Sequence, residues 1–184
     1  MIDYFTRADF RRFGTSMQFQ DREALLKRAE ERSPRGATFL SHSSKDEDAL
    51  AGVVRILKNH GASVYIDKKD PTLPPYTNKE TAQTLRERVS QSRRFVLLAS
   101  ENSKESKWVP WELGLADGFK NNNKIALFPV VEKSTDTAWI SWEYLGLYNR
   151  IVYGDLEGHD EKVWMVLNKK RNTATELSRW LKDY

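Results

Sequence analysis

The chain has 184 residues, enough for one domain with a substantial core plus an appendage, and its lack of cysteine excludes a disulfide framework, a thiol nucleophile and a thiolate metal site. The net charge of +4 and pI near 9.2 come from interspersed acids and bases, so no dedicated nucleic-acid face is expected. The three histidines lack metal-ligand spacing, and no apolar run approaches the roughly 20 residues of a membrane span, so the expectation is a soluble, cytoplasmic protein without a metal.

Residues 1–36 carry two helix-like pieces, Asp3 to Phe13 and Asp21 to Arg32, the second with Leu25, Leu26 and Ala29 on one side. They form a helical N-terminal extension that ends at the break Ser33-Pro-Arg-Gly36. Ala37 to Leu40 is a short strand, followed by the polar loop Ser41 to Asp46. Ser44 and Glu47 form a capping box there, and Leu50, Val53, Val54 and Leu57 define a helix that Gly61 stops. Ser63 to Ile66 is a second strand. Asp67 opens a connection through Thr77, carrying Pro71, Pro74 and Pro75, that is longer than an ordinary strand-to-helix link and so more often functional than accidental.

Thr77 to Ser92 is a helix with Ala82, Leu85 and Val89 as its buried stripe. Phe95 to Ala99 has no alternation and fits a strand buried on both faces. Ser100 to Lys107 turns the chain, Ser106 caps the next helix, Pro110 is tolerated in its first turn, and Gly118 ends it. Lys124 to Val131 is a fourth strand, with Pro129 marking a strand end or an edge. Ala138 to Tyr148 is an aromatic-rich short helix and Arg150 to Tyr153 a fifth strand. Val163 to Leu167 is a further strand, and a final helix is capped by Thr173 to Glu176. The basic clusters Arg11-Arg12, Arg93-Arg94 and Lys169-Lys170-Arg171 fit solvated faces or helix ends.

Glu112 falls near a helix start, where the backbone dipole favours a carboxylate, and Trp108 four residues earlier shares its face. A negative group beside an indole suits a cationic or planar heterocycle such as a nicotinamide riboside. Taken alone, the pair favours the simpler roles, a good first-turn residue and a core tryptophan. The alternation of strands and helices, however, implies a parallel α/β sheet in the flavodoxin-like order 2-1-3-4-5, a three-layer sandwich whose ligands bind beyond the carboxyl ends of strands 1 and 3. Those ends are the Ser41 to Ser44 turn and the Ser100 to Glu112 segment, with the Asp67 to Thr77 loop beside them, and this convergence makes Glu112 a site candidate. The acidic pair of a phosphoacceptor domain, a P-loop and a Gly-x-Gly-x-x-Gly fingerprint are all absent from the sequence.

Four segments in register, Thr38-Phe-Leu-Ser-His-Ser-Ser-Lys-Asp46, Gly61-Ala-Ser-Val-Tyr-Ile-Asp67, Phe95-Val-Leu-Leu-Ala-Ser100 and Ser106-Lys-Trp-Val-Pro-Trp-Glu-Leu113, resemble a bacterial TIR (Toll/interleukin-1 receptor) domain from about Ala37 to Tyr153. The resemblance implies the TIR fold over residues 37–184, with a strand-helix addition from about 155, and an NAD+ glycohydrolase or cyclase in antiphage immunity of the Thoeris type. NAD+ is then the substrate, with no cofactor. Glu112 of Trp-x-x-x-Glu is the implied catalytic residue, with Trp108 at the substrate. Ser41, His42, Ser43 and Lys45 are expected to line the pocket, Lys45 as a phosphate contact, whereas Ser44 is a cap. The Asp67 to Tyr76 loop resembles the one that packs on a neighbouring copy, although its prolines depart from the family, so Asp67, Leu73 and Tyr76 join the expected substrate-binding set. Self-association and a nucleotide-sensing effector are the implied partners. The competing expectations are a non-catalytic TIR-to-TIR scaffold and a nucleoside deoxyribosyltransferase-like enzyme.

Overall fold

The computed structural model describes residues 2–67, 79–136, 143–168 and 170–182. In chain order the elements are β1 (Ile2–Asp3), α1 (Arg7–Thr15), α2 (Phe19–Glu30), β2 (Thr38–Ser41), α3 (Glu47–Asn59), β3 (Val64–Ile66), α4 (Lys79–Gln91), β4 (Arg94–Ala99), α5 (Glu101–Glu105), α6 (Val109–Phe119), β5 (Ile125–Pro129), β6 (Asn149–Gly154), β7 (Val163–Asn168), β8 (Thr173–Glu176) and α7 (Leu177–Lys182). The sheet runs β3-β2-β4-β5-β6-β7-β8, parallel from β3 to β6 and antiparallel beyond. Its parallel part is the expected 2-1-3-4-5 order, with β2 as the first of those strands.

Pleating explains why the central strands lack alternation. In β2 and β4, Leu40, Val96 and Leu98 face a layer formed with α1, α2, α3 and α7, while Phe39, Phe95 and Leu97 face α4 and α6. Phe39 and Phe95 are cross-strand partners whose rings stack at 5.5 Å. Lys120, just past α6, ties that helix to the end of α4 by donating to the carbonyls of Val89 and Ser92, both at 2.7 Å.

Two local expectations give way to strand pairing, and two helix boundaries shift. Asp3 is not helical, because Ile2–Asp3 pairs antiparallel with Tyr153 and Gly154 of β6; α1 starts instead after Thr6, whose hydroxyl and backbone form a capping box with Asp9. Thr173 to Glu176 does not cap the last helix. It pairs with β7 across a turn where Asn172 takes φ 50°, so the helix shrinks to Leu177–Lys182. Ser44 is not the cap of α3. It lies inside a 3-10 turn, Ser44–Asp46, that is capped by Ser43, whose hydroxyl accepts from the Lys45 N–H. Gly118 also lies within α6, which runs on to Phe119, whereas Gly61 at φ 93° does end α3. Pro129 is the last residue of β5, where its missing N–H removes no interior ladder bond. Of the aromatic segment 138–148, residues 143–147 form a 3-10 helix and 137–142 lie outside the described residues.

The first helix is seated in the domain core. Phe10 is fully buried and meets Phe128 of β5 edge-on at 5.4 Å. Helix α1 also approaches α3 closely, because two glycines face each other there: a Cβ on Gly52 would lie 2.3 Å from the Phe10 carbonyl oxygen, and one on Gly14 would lie 3.2 Å from the Gly52 nitrogen. Gly52→Ala is therefore expected to lower stability by about 1–3 kcal/mol, read as a drop in thermal midpoint. A second prediction concerns Lys120, whose ordinary value of 10.5 is pushed down to about 8 by burial and by the charge of Lys124. Between those values the unfolded chain holds the proton and the native chain does not, so this group makes stability rise with pH. The unfolding free energy of wild type should climb relative to Lys120→Met between about pH 8 and pH 10.5, in denaturant titrations at stepped pH.

Candidate functional site

The carboxyl ends of β2 and β4 bring the serine-rich turn and the start of α6 together. Ser41 ends β2, and its hydroxyl donates to Oε2 of Glu112 in the first turn of α6. Both side chains are buried, Ser41 at 1% and Glu112 at 2% exposure, and His42 and Ser43 continue the same buried turn. Burial of a carboxylate is unfavourable without donors, so the Ser41 hydroxyl both satisfies and aims it. Glu112 is placed by its helix: Pro110 lies in the first turn, the Glu112 N–H reaches the Trp108 carbonyl at 2.9 Å, and Ser106 accepts from Trp108 and Val109 at 3.3 Å. Trp108, half-buried, precedes the helix and meets Trp111 edge-on at 5.7 Å.

A second buried carboxylate sets the turn itself. Asp46 is fully buried and accepts from Ser100 Oγ at 2.6 Å, Asn102 Nδ2 at 2.7 Å and the Arg7 guanidinium at 2.8 Å. Ser100 is also the N-cap of α5, receiving the Ser103 N–H at 3.1 Å. The turn after β2 is thus fastened to the turn after β4, and both to α1. Arg7 reaches Asp48 at 2.8 Å and Glu132 at 2.9 Å as well. Burial opposes its charge, but hydrogen bonds to Asp46 and Glu132 and the fields of Asp46 and Asp48 prevail and hold the guanidinium above its ordinary value.

The remaining expected site residues divide. Lys45 is exposed and pairs with Glu105 of α5 at 3.2 Å, so its ammonium is engaged at the rim. Asp67, after β3, accepts the Tyr65 hydroxyl at 2.7 Å and pairs with Arg88 of α4. Burial, together with that shared carboxylate, raises the Tyr65 phenol above its ordinary value. Leu73 and Tyr76 lie outside the described residues. Arg7 and Asn102 were missed from sequence. Arg7 lies 39 residues from Asp46, and no local pattern links such a pair.

Arg7→Ala should lower the unfolding free energy by roughly 3–5 kcal/mol in urea titrations, because it leaves the buried Asp46 charge without its cation. Arg11→Ala, at an exposed pair with Asp48, should change it by under about 1 kcal/mol.

A family profile described as a TIR domain matches residues 38–167. The chain is 38% identical over 148 residues, 79% of its own length and 75% of the relative's, to a Bacillus cereus (strain MSX-D12) protein named as a probable 3′ cyclic ADP-D-ribose synthase, ThsB′. It is 30% identical over 96 residues to a Cytobacillus dafuensis protein named as a putative cyclic ADP-D-ribose synthase, TIR2; that match covers 48% of this chain and 25% of the relative. With the sheet order, the four motifs and a match spanning the sheet from β2 to β7, the chain belongs to the TIR domain family.

Proposed function

We propose that this chain cleaves the bond between nicotinamide and ribose in NAD+, giving nicotinamide and either ADP-ribose or a cyclic ADP-ribose isomer. The observation that carries this reading is the buried Glu112 carboxylate, held by the Ser41 hydroxyl where the order of parallel strands reverses. Breaking a glycosidic bond develops an oxocarbenium-like sugar, which a nearby carboxylate stabilises, most strongly where water is excluded. Nicotinamide leaves NAD+ as a neutral molecule, so no second carboxyl group is needed as an acid. A ribose hydroxyl can take over the donor role of Ser41 at Oε2, which orients the sugar against the charge it needs. Capture of the cation by water yields ADP-ribose, and capture by a nucleophile of the same molecule yields a ring. The names carried by the two relatives support the ring-forming branch.

The same reading places the protein in the cytoplasm, in antiphage immunity, self-associating through its TIR domain and making a nucleotide signal for an effector. Among the described residues no helix is long and apolar enough to cross a membrane, which is compatible with that setting.

Chromatography of NAD+ incubated with concentrated protein tests the chemistry and identifies the product. Glu112→Ala should lower the rate by roughly two to three orders of magnitude or more with the circular dichroism spectrum preserved, and Ser41→Ala should have a smaller effect on the same step. Equal inertness of wild type and Glu112→Ala, with self-association retained, would favour a scaffold instead. Free base released from deoxynucleosides and not from NAD+ would favour a deoxyribosyltransferase-like activity.

A further inference from the structure

At the opposite end of the sheet, the amino ends of the parallel strands surround a cavity of about 370 Å³, within the roughly 300–1,000 Å³ range of small-molecule sites. Arg94 at the start of β4, Lys124 just before β5 and Asn149 at the start of β6 line one side. Asn168 at the end of β7 and Arg171 in the turn to β8 line the other. Two basic clusters far apart in sequence, Arg93-Arg94 and the one ending at Arg171, are thereby brought to one concave surface, and none of the described lining residues is acidic.

The surface is built, not merely charged. Arg94 is buried at 4% exposure, with its guanidinium 4.3 Å above the ring of Trp180, whose indole N–H donates to the Asn123 carbonyl at 2.8 Å. Asn149, at 7% exposure, is fixed by donating to the Asn122 carbonyl at 3.0 Å. Asn168 accepts the Arg171 N–H at 3.0 Å through Oδ1, a contact that does not use the two N–H donors of its carboxamide. Lys124 and Arg171 meet no carboxylate among the described residues, and the field of Lys124 is felt by Lys120, where it adds to burial in lowering the ammonium. Two cations at one concavity with no counter-ion among the described residues call for an anion. Carboxamides, which both donate and accept, match hydroxyls and base edges.

We propose that this cavity is a second ligand site, which takes a small phosphorylated nucleoside through Lys124 and Arg171 at the phosphates and the asparagine carboxamides at the sugar or base. The proposal is independent of the reaction assigned to Glu112. Isothermal titration calorimetry with ADP as probe tests it at low ionic strength, with adenosine and inorganic pyrophosphate as controls. Saturable ADP binding that weakens on the order of tenfold for each of Lys124→Ala and Arg171→Ala is the expected result. Asn168→Asp, which sets a carboxylate in the cavity, should abolish the same signal, while Lys27→Ala on the exposed face of α2 should leave it in place. The proposal is overturned if ADP gives no saturable heat, if the cavity variants bind it as tightly as wild type does, or if pyrophosphate binds as tightly as ADP.

Discussion

The candidate site depends on one buried carboxylate that is not itself part of the proposed chemistry. Asp46 has no contact with water and gathers donors from three separate places: Arg7 of α1, Ser100 at the end of β4 and Asn102 of α5. A buried charge is tolerable only when its lone pairs are occupied by well-placed donors, so the three segments have essentially one arrangement in which it is satisfied. That arrangement lays the turn after β2 against the turn after β4, and Ser41 meets Glu112 as a consequence. The serine-to-glutamate contact is the visible part of the site; Asp46 is what fixes its position.

The dependence also changes what the first residues of the chain do. Arg7 and Phe10 lie before the segment that matches the TIR domain profile, yet one neutralises Asp46 and the other fills the core beside β5. Backbone pairing adds to this, since Arg7 donates its N–H to the Val131 carbonyl at 2.8 Å just past the end of β5. The close approach of α1 to α3 through Gly14 and Gly52 makes the seating specific, because neither position has room for a side chain without displacing backbone.

Much of this was legible from sequence where the physics is local or periodic. Leu50, Val53, Val54 and Leu57 are all buried on α3 as their spacing requires, and the uninterrupted apolar run of β4 is covered on both faces. The sheet order followed from alternation of elements, and the meeting of Ser41 with Glu112 followed from the sheet order. What sequence did not reveal is what depends on distant partners. Thr173 to Glu176 satisfies the rules for a helix start, but the open edge of β7 offers four residues of ladder and wins. Asp46 was recognisable as an acid at a helix start; its true role required Arg7, Ser100 and Asn102 to be brought to it by the fold.

The short pairing of Ile2–Asp3 with Tyr153 and Gly154 has a consequence for how the molecule is made. Ile2 and Asp3 must wait for almost the whole sheet to be synthesised before they find their neighbours in β6. A chaperone that holds the nascent chain during this interval, or a slow codon placed after the sixth strand, would therefore act on the closing of β1 onto β6 and not on the Asp46 cluster or the strands β2, β3, β4 and β5, whose parts are all made earlier.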